Sequence, residues 1–405
     1  MPFEVPSSWV WCRLEDIAYV ASGSTPDKTC FVENGVPYIK MYNLRNQKID
    51  FAYHPQYITE EVHNGKLQRS RTEVGDLIMN IVGPPLGKLA IIPTTLPQAN
   101  FNQAAVLIRP YKFKEVLVSY LKVYLEEMSE INSIATRGSA GQVNISLTQS
   151  QNMRIPIPPL NEVRRIIEEV SKYDILIDSL KQNITDIQNL IAYTKSKILD
   201  LAIHGKLVPQ DPNDEPAIEL LKRINPDFTP CDNGHSRKLP QGWAYCQLSN
   251  VLKITMGQSP KGDSLNNKRG IEFHQGKICF SDKFLLESGI FTNEPTKIAE
   301  PNSILLCVRA PVGVVNITKN QICIGRGLCA LTPFEGNVDF YFYLLQTLQD
   351  SFDNQSTGTT FKAISGEIIR NENIILPPLA EQQRIVQKIE ELFHVFDNIQ
   401  NALEV

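Results

Sequence analysis

The sequence predicts an α+β protein in which two similar globular domains are separated by long α-helices that form an antiparallel coiled coil, with a pseudo-two-fold relation between the halves. Three observations predict this architecture. The chain of 405 residues resembles itself at a shift of a little over half its length. Each copy has short apolar runs broken by Gly, Pro, Asn and Ser, which is typical of strands and turns. Each copy then continues into a long segment with apolar residues at steps of three and four, which indicates a helix of a coiled coil.

The repeat is clearest in framework residues that recur at a constant offset. Pro6, Trp9, Cys12, Leu14, Gly23 and Pro26 match Pro240, Trp243, Cys246, Leu248, Gly257 and Pro260. Further matches follow at slightly shorter offsets: Ile78, Val82, Pro85 and Gly87 match Ile304, Val308, Pro311 and Gly313. A repeat of this length indicates a duplicated domain rather than the short unit of a solenoid.

The repeat divides the chain into four segments. The predicted globular domains are residues 1–155 and 226–376, the predicted central helical spacer is residues 156–225, and the predicted distal helical region is residues 377–405. Within the globular segments, apolar runs predict strands at Ile78 to Val82, Ala104 to Ile108, Ser303 to Val308 and Gly313 to Ile317, and helices at Val116 to Met128 and Val338 to Leu348. Strands together with helices in each segment predict the α+β class.

A Pro-Pro-Leu motif precedes each long helix, and prolines suit an extended lead-in to a helix start. The apolar seam of the first helix runs from Leu160 to Leu201, and the seam of the second runs from Ile385 to Leu403. Two apolar seams in one chain most simply bury each other in an antiparallel coiled coil. The alternative is that each seam packs on its own globular domain.

Charge and composition argue against several classes of protein. Forty Lys and Arg residues against 44 Asp and Glu residues give a net charge of -4, which argues against coating of nucleic acid or acidic membrane by bulk charge. No apolar stretch is long enough to span a membrane and the N-terminus has no signal-peptide pattern, so we expect a cytoplasmic protein. The eight cysteines include no C-x-x-C pair and are interpreted as reduced core thiols rather than metal ligands.

No constellation of residues predicts a catalytic site. The chain lacks the Asn-Pro-Pro-Tyr motif of base-modifying methyltransferases, a phosphate-binding G-x-x-x-x-G-K-[ST] motif and the Asp/Glu-x-Lys pattern of restriction-type nucleases. The six histidines form no H-E-x-x-H motif, and none is paired with a cysteine at ligand spacing. Gly325-Arg326-Gly327 is a fragment of a dinucleotide fingerprint and predicts a tight turn instead. We therefore expect no catalytic residue and no metal site in this chain.

Polar loops of the globular segments are the predicted DNA-binding surfaces. The acidic surplus lies on the helical segments, so each globular segment can still gather a basic face. Lys and Arg engage phosphates or guanine edges, while Asn and Gln match the adenine edge. The candidates are Arg45, Lys48, Lys66, Arg69, Arg71, Asn102 and Gln103 in the first copy and Lys261, Asn267, Lys268, Arg269, Gln275, Lys277, Arg309 and Arg326 in the second, with amides such as Asn43 and Asn100 nearby. For any one of these loops the alternative is a plain solvated surface.

The two copies share their framework but not these loops. Residues Asp27 to Asn34 stand at the place of Lys261 to Arg269 and have little in common with them. A duplicated scaffold with unlike polar loops would present two different recognition surfaces. Such surfaces would read two unlike half-sites separated by an unread spacer.

Essentially the whole chain resembles the specificity subunits of type I restriction-modification systems. The residues that carry the resemblance are Leu160 to Ile167, Lys197 to Ala217, Leu239 to Trp243 and Leu376 to Ile385. The resemblance implies two target recognition domains that each contact one half of a bipartite, asymmetric site in double-stranded DNA. It implies helices that serve as a spacer and as a docking surface for two methyltransferase subunits, to which restriction subunits add. It also implies that S-adenosylmethionine, ATP and Mg belong to those partner subunits and that this chain binds no cofactor.

One departure from the family concerns the end of the second helix. The family usually repeats an Ile-Leu-x-x-Ala-x-x-Gly-Lys-Leu segment there, and the sequence reaches Val405 without it. We therefore expect the seam from about Leu180 to Leu201 to lack a mate in the second helix and to be covered by a partner; a truncated chain, a globular part of this chain or another copy are the alternatives. Two other functions also remain open, an autonomous enzyme acting on nucleic acid through an unfamiliar site and a coiled-coil adaptor that binds protein.

Overall fold

The computed structural model describes residues 3–83, 86–127, 144–230, 239–358 and 362–404. Several residues of the sequence analysis lie outside these ranges: Pro85, Met128, Cys231 and His235. The chain divides into two compact units, unit 1 (Met1–Leu180) and unit 2 (Lys181–Val405), with the boundary inside the long central helix. The division into four segments remains a prediction.

Unit 1 consists of short strands and four short or medium helices that lead into the long helix. Among its described residues the strands are β1 (Val10–Arg13), β2 (Ala18–Ser22), β3 (Phe31–Val32), β4 (Val36–Ile39), β5 (Leu44–Arg45), β6 (Lys48–Ile49), β7 (Tyr57–Ile58), β8 (Leu77–Asn80), β9 (Leu89–Ile91), β10 (Asn100–Phe101), β11 (Ala105–Pro110) and β12 (Arg154–Ile157). The helices are α1 (Leu14–Ile17), α2 (Glu60–Asn64), α3 (Lys114–Glu127), α4 (Leu147–Gln151) and the first part of α5 (Leu160–Ile203).

The strands of unit 1 form one main sheet, a second sheet and two small ladders. The main sheet is antiparallel with the order β2-β11-β8-β9, and the second sheet has the order β10-β4-β7-β3, in which β10 and β4 are parallel. The strand β1 pairs with β12, and β5 pairs with β6 in a hairpin. The hairpin has a two-residue loop, and the two sheets form the scaffold of the unit.

The central strand β8 buries side chains on both faces of the main sheet. Leu77 and Met79 lie in one core together with Leu121 of α3, while Ile78 lies in a second core together with Phe101 of the second sheet. This alternation follows from the period of two along a strand. The main sheet therefore separates two cores of unit 1, and a third, smaller cluster contains Tyr38 and Ile58 of the second sheet.

The two cores on either face of the main sheet support different parts of unit 1. The core on the α3 side includes Val163 from the first turn of α5. The core on the other side includes Leu44 of β5 and is flanked by Ile49 of β6. The helix α5 and the hairpin β5-β6 are thus anchored on opposite faces of the main sheet.

Unit 2 repeats these elements. Among its described residues the strands are β13 (Ala244–Gln247), β14 (Leu252–Met256), β15 (Leu265–Asn266), β16 (Ile271–His274), β17 (Phe291–Thr292), β18 (Ile298–Ala299), β19 (Ile304–Cys307), β20 (Val315–Ile317), β21 (Ile322–Ile324), β22 (Leu328–Pro333) and β23 (Asn373–Leu376). The helices after α5 are α6 (Ala217–Ile224), α7 (Leu248–Val251), α8 (Val338–Thr347), α9 (Gln349–Asn354), α10 (Gly366–Asn371) and α11 (Leu379–Leu403).

The sheet topology of unit 2 confirms the predicted duplication. Its main sheet has the order β14-β22-β19-β20, which is the order β2-β11-β8-β9 of unit 1 strand for strand. Its second sheet again contains a parallel pair, β16 with β21, and its first and last strands, β13 and β23, again form a separate ladder. The α+β class is therefore confirmed, and the same scaffold occurs twice in the chain.

The predicted strands and helices of the two globular segments are confirmed within the described residues. The strands lie at β8, β11, β19 and β20, and the helices at α3 and α8. The helix α3 begins at Lys114, two residues before the predicted start and directly after Phe113, whose φ of +53° lies outside the helical region. Such a left-handed residue separates the loop from the helix.

The last part of α5 and α11 run antiparallel within unit 2, as predicted. Glu381 at the start of α11 accepts a hydrogen bond of 3.2 Å from Gln210, which lies just beyond the end of α5. Further along α11, Asp397 forms an ion pair of 2.6 Å with Lys195, which lies before the end of α5. The start of α11 thus lies near the C-terminal end of α5, and the later part of α11 lies near an earlier residue of α5. The pair is therefore an antiparallel coiled coil. At about 1.5 Å per residue, the 44 residues of α5 span roughly 66 Å.

The prediction about the uncovered part of the α5 seam is wrong in its extent. Ile198 and Leu199 are each only 7% exposed and belong to the core of unit 2, together with Ile385 and Ile389 of α11. That core also contains the main sheet of unit 2, so the end of α5 packs on both α11 and a globular part. The large exposed apolar side chains of α5 lie mostly earlier: Tyr173, Ile175, Leu176, Ile177, Leu180, Ile187, Leu190 and Tyr193. Coverage of this exposed stretch by a partner stays a prediction.

Two substitutions on α5 separate its covered part from its exposed part. Ile198→Ala is expected to lower the free energy of unfolding by about 2–4 kcal/mol, because it removes a buried side chain from a packed core. Leu190→Ala, at a side chain that is 62% exposed, is expected to change it by less than about 0.5 kcal/mol. Urea unfolding of both variants checks this, and equal losses would contradict the assignment of Ile198 to the core.

Candidate nucleic-acid interfaces

The hairpin β5-β6 of unit 1 presents two of the predicted cations. Its two loop residues, Asn46 and Gln47, have φ values of +49° and +54°, as a type I′ turn requires. Arg45 and Lys48 are paired across the hairpin directly before and after this turn, and both are exposed. The guanidinium carbon of Arg45 lies 4.0 Å from the centroid of the Tyr53 ring, an arrangement that orients the side chain. Gln47 Oε1 accepts a hydrogen bond of 2.7 Å from the N–H of Leu89 in β9, so the hairpin carries two cations beside a turn that is fixed to the main sheet.

A second group of predicted residues lies on the loop after α2. Lys66 and Arg69 are exposed. Arg69 Nη2 donates a hydrogen bond of 3.0 Å to Ser24 Oγ, and the N–H of Ser24 donates to the carbonyl of Phe101 at 3.1 Å. Arg69 is thereby held close to the turn that follows β10, where Gln103 lies.

Arg71 of the same loop has partners inside unit 1. Its Nε donates to the carbonyl of His63 at 3.1 Å, and its Nη2 donates to Asn64 Oδ1 at 2.6 Å. These bonds tie the residues after α2 together, so the visible role of Arg71 is to position the loop that carries Lys66 and Arg69. Contact of Arg71 with DNA stays a prediction.

Two amides that the sequence analysis placed near the recognition loops are fully buried. Asn100 Nδ2 donates to the carbonyl of Leu67 at 2.9 Å and to Ser70 Oγ at 3.0 Å. Asn43 Nδ2 donates to the carbonyls of Asp50 and Tyr53. Their placement at a DNA surface was wrong, because both amides satisfy backbone groups that would otherwise be buried without partners. They shape the loops from beneath.

The turn after β10 carries the last two candidates of unit 1. Gln103 is exposed at the turn. Asn102 is only partly exposed, and its Oδ1 is buried without a hydrogen-bond partner among the described residues. Gln103 is therefore the more accessible of the two side chains.

In unit 2, four candidates lie on the loop between β14 and β16, and all four are exposed: Lys261, Asn267, Lys268 and Arg269. Asn266 organises the tip, because its Oδ1 accepts hydrogen bonds from the N–H groups of Lys268 at 3.0 Å and Arg269 at 2.9 Å. Such a turn, stabilised by an amide side chain, fixes the backbone of the following residues. Two adjacent cations are thereby presented on an ordered tip.

The other four candidates of unit 2 are brought together around one depression. Gln275, Lys277 and Arg309 line this space of about 130 Å³, and the exposed Arg326 directly precedes another lining residue, Gly327. A Cβ added at Gly327 would lie 2.2 Å from the carbonyl oxygen of Gln275, so only glycine allows the two backbones to approach this closely. The sequence prediction that Gly325-Arg326-Gly327 forms a tight turn is confirmed.

Sequence reasoning missed Ile278, which lies beside Lys277 and is 96% exposed. An apolar side chain at a DNA surface can contact the methyl group of thymine. Beneath this surface lies His274, and burial lowers the pKa of its imidazole below the ordinary value of 6.5. The neutral form is therefore favoured at this position, and the exposed side chains supply the positive charge of the surface. In the sequence Ile278 is followed directly by Cys279 and Phe280, so nothing distinguished it from a core residue.

Substitution of the two cations on the Asn266 turn is expected to weaken DNA binding and to flatten its salt dependence. Lys268→Ala with Arg269→Ala should lower the slope of log K against log salt by about two, since each lost phosphate contact removes about one. Titration of labelled DNA at several salt concentrations measures the slope. The control pair is Lys222→Ala with Arg223→Ala on α6, whose cations are already ion-paired with acidic residues. A slope that is unchanged in the first pair would remove this loop from the interface.

The described residues show none of the usual inorganic or membrane sites. Within the described ranges, no group of three or more His, Cys, Asp or Glu side chains is placed to hold a metal ion. The seven cysteines that the structure describes are free thiols; Cys246, Cys307, Cys323 and Cys329 are buried, whereas Cys12, Cys30 and Cys279 are partly exposed and so are not all core residues as predicted. None of the helices in the described part of the chain combines the length and the hydropathy needed to cross a bilayer.

Comparison with known proteins finds one family profile that matches both halves of the chain. The sequence profile of the family described as type I restriction modification DNA specificity domain matches residues 6–189 and 240–405. These two matches correspond to the two repeats of the scaffold; the first extends into α5 as far as residue 189, and the second includes the whole of α11. Together they cover most of the chain.

Individual relatives extend over nearly the full length of the chain. A putative type I restriction enzyme specificity subunit, MjaX, of Methanocaldococcus jannaschii is 28% identical in an alignment of 398 positions that covers 96% of this chain and 88% of that protein. The EcoAI specificity subunit of Escherichia coli is 26% identical, covering 100% of this chain and 80% of that protein. A solved structure from work on complex assembly and conformational transition of the type I R-M system has a TM-score of 0.62 at 25% identity and covers 100% of this chain and 94% of its own.

Proposed function

Because the chain belongs to the type I restriction-modification DNA specificity family, we propose that it reads a bipartite, asymmetric DNA sequence, with one half contacted by each unit. The observation that carries this proposal is a scaffold that occurs twice with unlike polar loops. The sheet orders of the two units match strand for strand. The exposed side chains on equivalent loops do not match, and side chains facing base edges determine sequence preference. Two surfaces of this kind suit two different half-sites.

The loop at the start of the second sheet shows this difference. In unit 1, Asp27 accepts a hydrogen bond from the N–H of Thr29 and begins a short turn with an acidic side chain. In unit 2, the corresponding loop ends in the turn around Asn266, which presents Lys268 and Arg269. The turn between β3 and β4 of unit 1 carries the exposed Glu33 where the turn between β15 and β16 of unit 2 carries these two cations. The two loops therefore favour different local contacts with the polyanionic duplex.

Methyl transfer and cleavage are assigned by this proposal to partner subunits, with this chain acting as a non-catalytic reader in the cytoplasm. The names of the relatives support it, since they describe specificity subunits of type I restriction enzymes. S-adenosylmethionine, ATP and Mg would then be bound by the methyltransferase and restriction subunits. The exposed apolar stretch of α5 between Tyr173 and Leu190 suits a protein partner, because contiguous exposed apolar surface marks interaction sites.

The proposal is tested by assembling the chain with its methyltransferase subunit in a host and mapping the methylated DNA. We expect a single asymmetric motif of two short halves separated by a gap. Methyl transfer or cleavage by the isolated chain would instead indicate an autonomous enzyme. Failure of the assembled complex to bind any DNA would indicate a protein-binding adaptor.

A further inference from the structure

The turn that carries Gln103 is defined by backbone hydrogen bonds. It follows β10, which is parallel to β4. The N–H of Asn102 donates to the carbonyl of Ile39 at the end of β4 at 3.1 Å, and the N–H of Ala105 closes the turn on the carbonyl of Asn102 at 3.3 Å. Gln103 is therefore the second residue of a four-residue turn.

The turn that carries Arg326 is built in the same way in unit 2. It follows β21, which is parallel to β16. The N–H of Gly325 donates to the carbonyl of His274 at the end of β16 at 2.7 Å, and the N–H of Leu328 closes the turn on the carbonyl of Gly325 at 3.0 Å. Arg326 is again the second residue of the turn.

A pair of glycines fixes both turns against the main sheets. A Cβ added at Gly23 would lie 2.2 Å from the carbonyl oxygen of Asn102, and a Cβ added at Gly257 would lie 2.1 Å from that of Gly325. Gly23 and Gly257 are also equivalent in the sequence repeat. Because the neighbouring strands, the closing bonds and this close approach all agree, Gln103 and Arg326 occupy the same position of the duplicated scaffold.

Both side chains are free to bind a ligand. Gln103 and Arg326 are exposed, and neither side chain has a hydrogen bond or an ion pair to the residues that the structure describes. The backbone N–H of Arg326 donates to Ser259 Oγ at 3.4 Å, which leaves the guanidinium unengaged. The backbone hydrogen bonds and the close approach of the glycines fix the position of each turn, and the polar groups of both side chains stay available to a ligand.

The chemistry of these two side chains matches two different bases. Glutamine can form paired hydrogen bonds with N6 and N7 of adenine, and arginine can form them with O6 and N7 of guanine. Resting on the function proposed above, we propose that this turn is a base-reading position in both units, at which Gln103 selects adenine in one half-site and Arg326 selects guanine in the other. A position that only neutralised phosphate would retain a cation in both copies, since a neutral amide releases no counterion.

The test uses the chain assembled with its methyltransferase subunits and a DNA library randomised over both half-sites. Gln103→Arg is expected to replace an adenine preference by a guanine preference at one position of one half. Arg326→Gln is expected to do the reverse in the other half. The preference between the two bases should change by about tenfold to a hundredfold in each case, with the remaining positions of the motif unchanged.

Two control variants make the same changes of charge away from the turns. Gln387→Arg adds a cation on the exposed surface of α11, and Arg223→Gln removes one on α6. Neither should alter any base preference. Truncations to Ala at positions 103 and 326 extend the test, since each should leave one degenerate position in one half-site.

The outcomes separate this inference from the proposed function. If the wild-type complex selects a bipartite motif and the substituted complexes select the same motif, the turns do not read bases. A uniform loss of affinity for all sequences would likewise overturn the inference, because it would indicate phosphate contacts alone. If the wild-type complex selects no bipartite motif, the proposed function itself fails.

Discussion

Exchange of residues 1–157 for the matching domain of a relative is expected to change one half of the recognised DNA sequence and to leave the other half unchanged. Unit 1 has its own hydrophobic cores and contains the whole first copy of the scaffold. A cut after Ile157 keeps the ladder between β1 and β12 within the exchanged part, since Val10 pairs with Ile157. A cut at residue 155 would divide that ladder.

The expected effect of this exchange on affinity is large. Each mismatched base pair costs about 1–3 kcal/mol, so the loss of one half-site should weaken binding of the original sequence about a thousandfold or more. Selection from a randomised library, followed by titration of the original and the new site, measures both changes. The reciprocal exchange of the scaffold in unit 2 is the control and should alter only the other half. Changes in both halves after a single exchange would contradict independent reading.

Substitution of Asp76 is expected to give a large loss of stability in unit 1. Asp76 is fully buried at the start of β8, where its carboxylate contacts Arg109 Nη2 at 2.6 Å and Lys114 Nζ at 2.7 Å. These contacts raise the pKa of the Arg109 guanidinium, chiefly through its hydrogen bond with Asp76. Removal of one member of a buried ion pair leaves the other charges uncompensated, at a cost of about 3–5 kcal/mol. Because both cations are about a quarter exposed, Asp76→Ala should lie at the lower end.

A matched control exists in the same cluster. Glu73 contacts the same two cations, Arg109 at 2.8 Å and Lys114 at 3.6 Å, but its side chain is 54% exposed. Glu73→Ala should therefore change the free energy of unfolding by at most about 1 kcal/mol. Urea unfolding of the two variants provides the comparison. Equal losses of unfolding free energy would show that the burial of Asp76 does not increase its contribution to stability.

The duplication could be predicted from sequence because the framework residues that repeat are buried and constrained by packing. Leu14 and Leu248 are both fully buried at the start of equivalent helices. Gly23 and Gly257 recur because a side chain would collide with a neighbouring backbone. Requirements of this kind act on residue type directly, so two copies retain them even when their loops diverge.

The interfaces could be predicted only in part, because the partner of a loop side chain is set by residues far away in the chain. Asn100 resembles a surface amide in the sequence, yet its side chain donates hydrogen bonds to Leu67 and Ser70, which lie 33 and 30 positions earlier in the chain. The cover of Ile198 by a globular part of the chain was only one of several alternatives, since the core that buries it includes strands and helices from the remainder of unit 2. The equivalence of Gln103 and Arg326 in the two copies could be recognised only from the backbone hydrogen bonds of both turns.

The two cores on opposite faces of the unit 1 sheet have an evolutionary consequence. The core that anchors α5 contains Val163, whereas the hairpin with Arg45 and Lys48 rests on the core that contains Leu44. Mutations that reshape the hairpin are insulated by β8 and β11 from the attachment of the helix. A lineage can thus acquire a new DNA target through loop mutations while its assembly with other subunits is inherited unaltered.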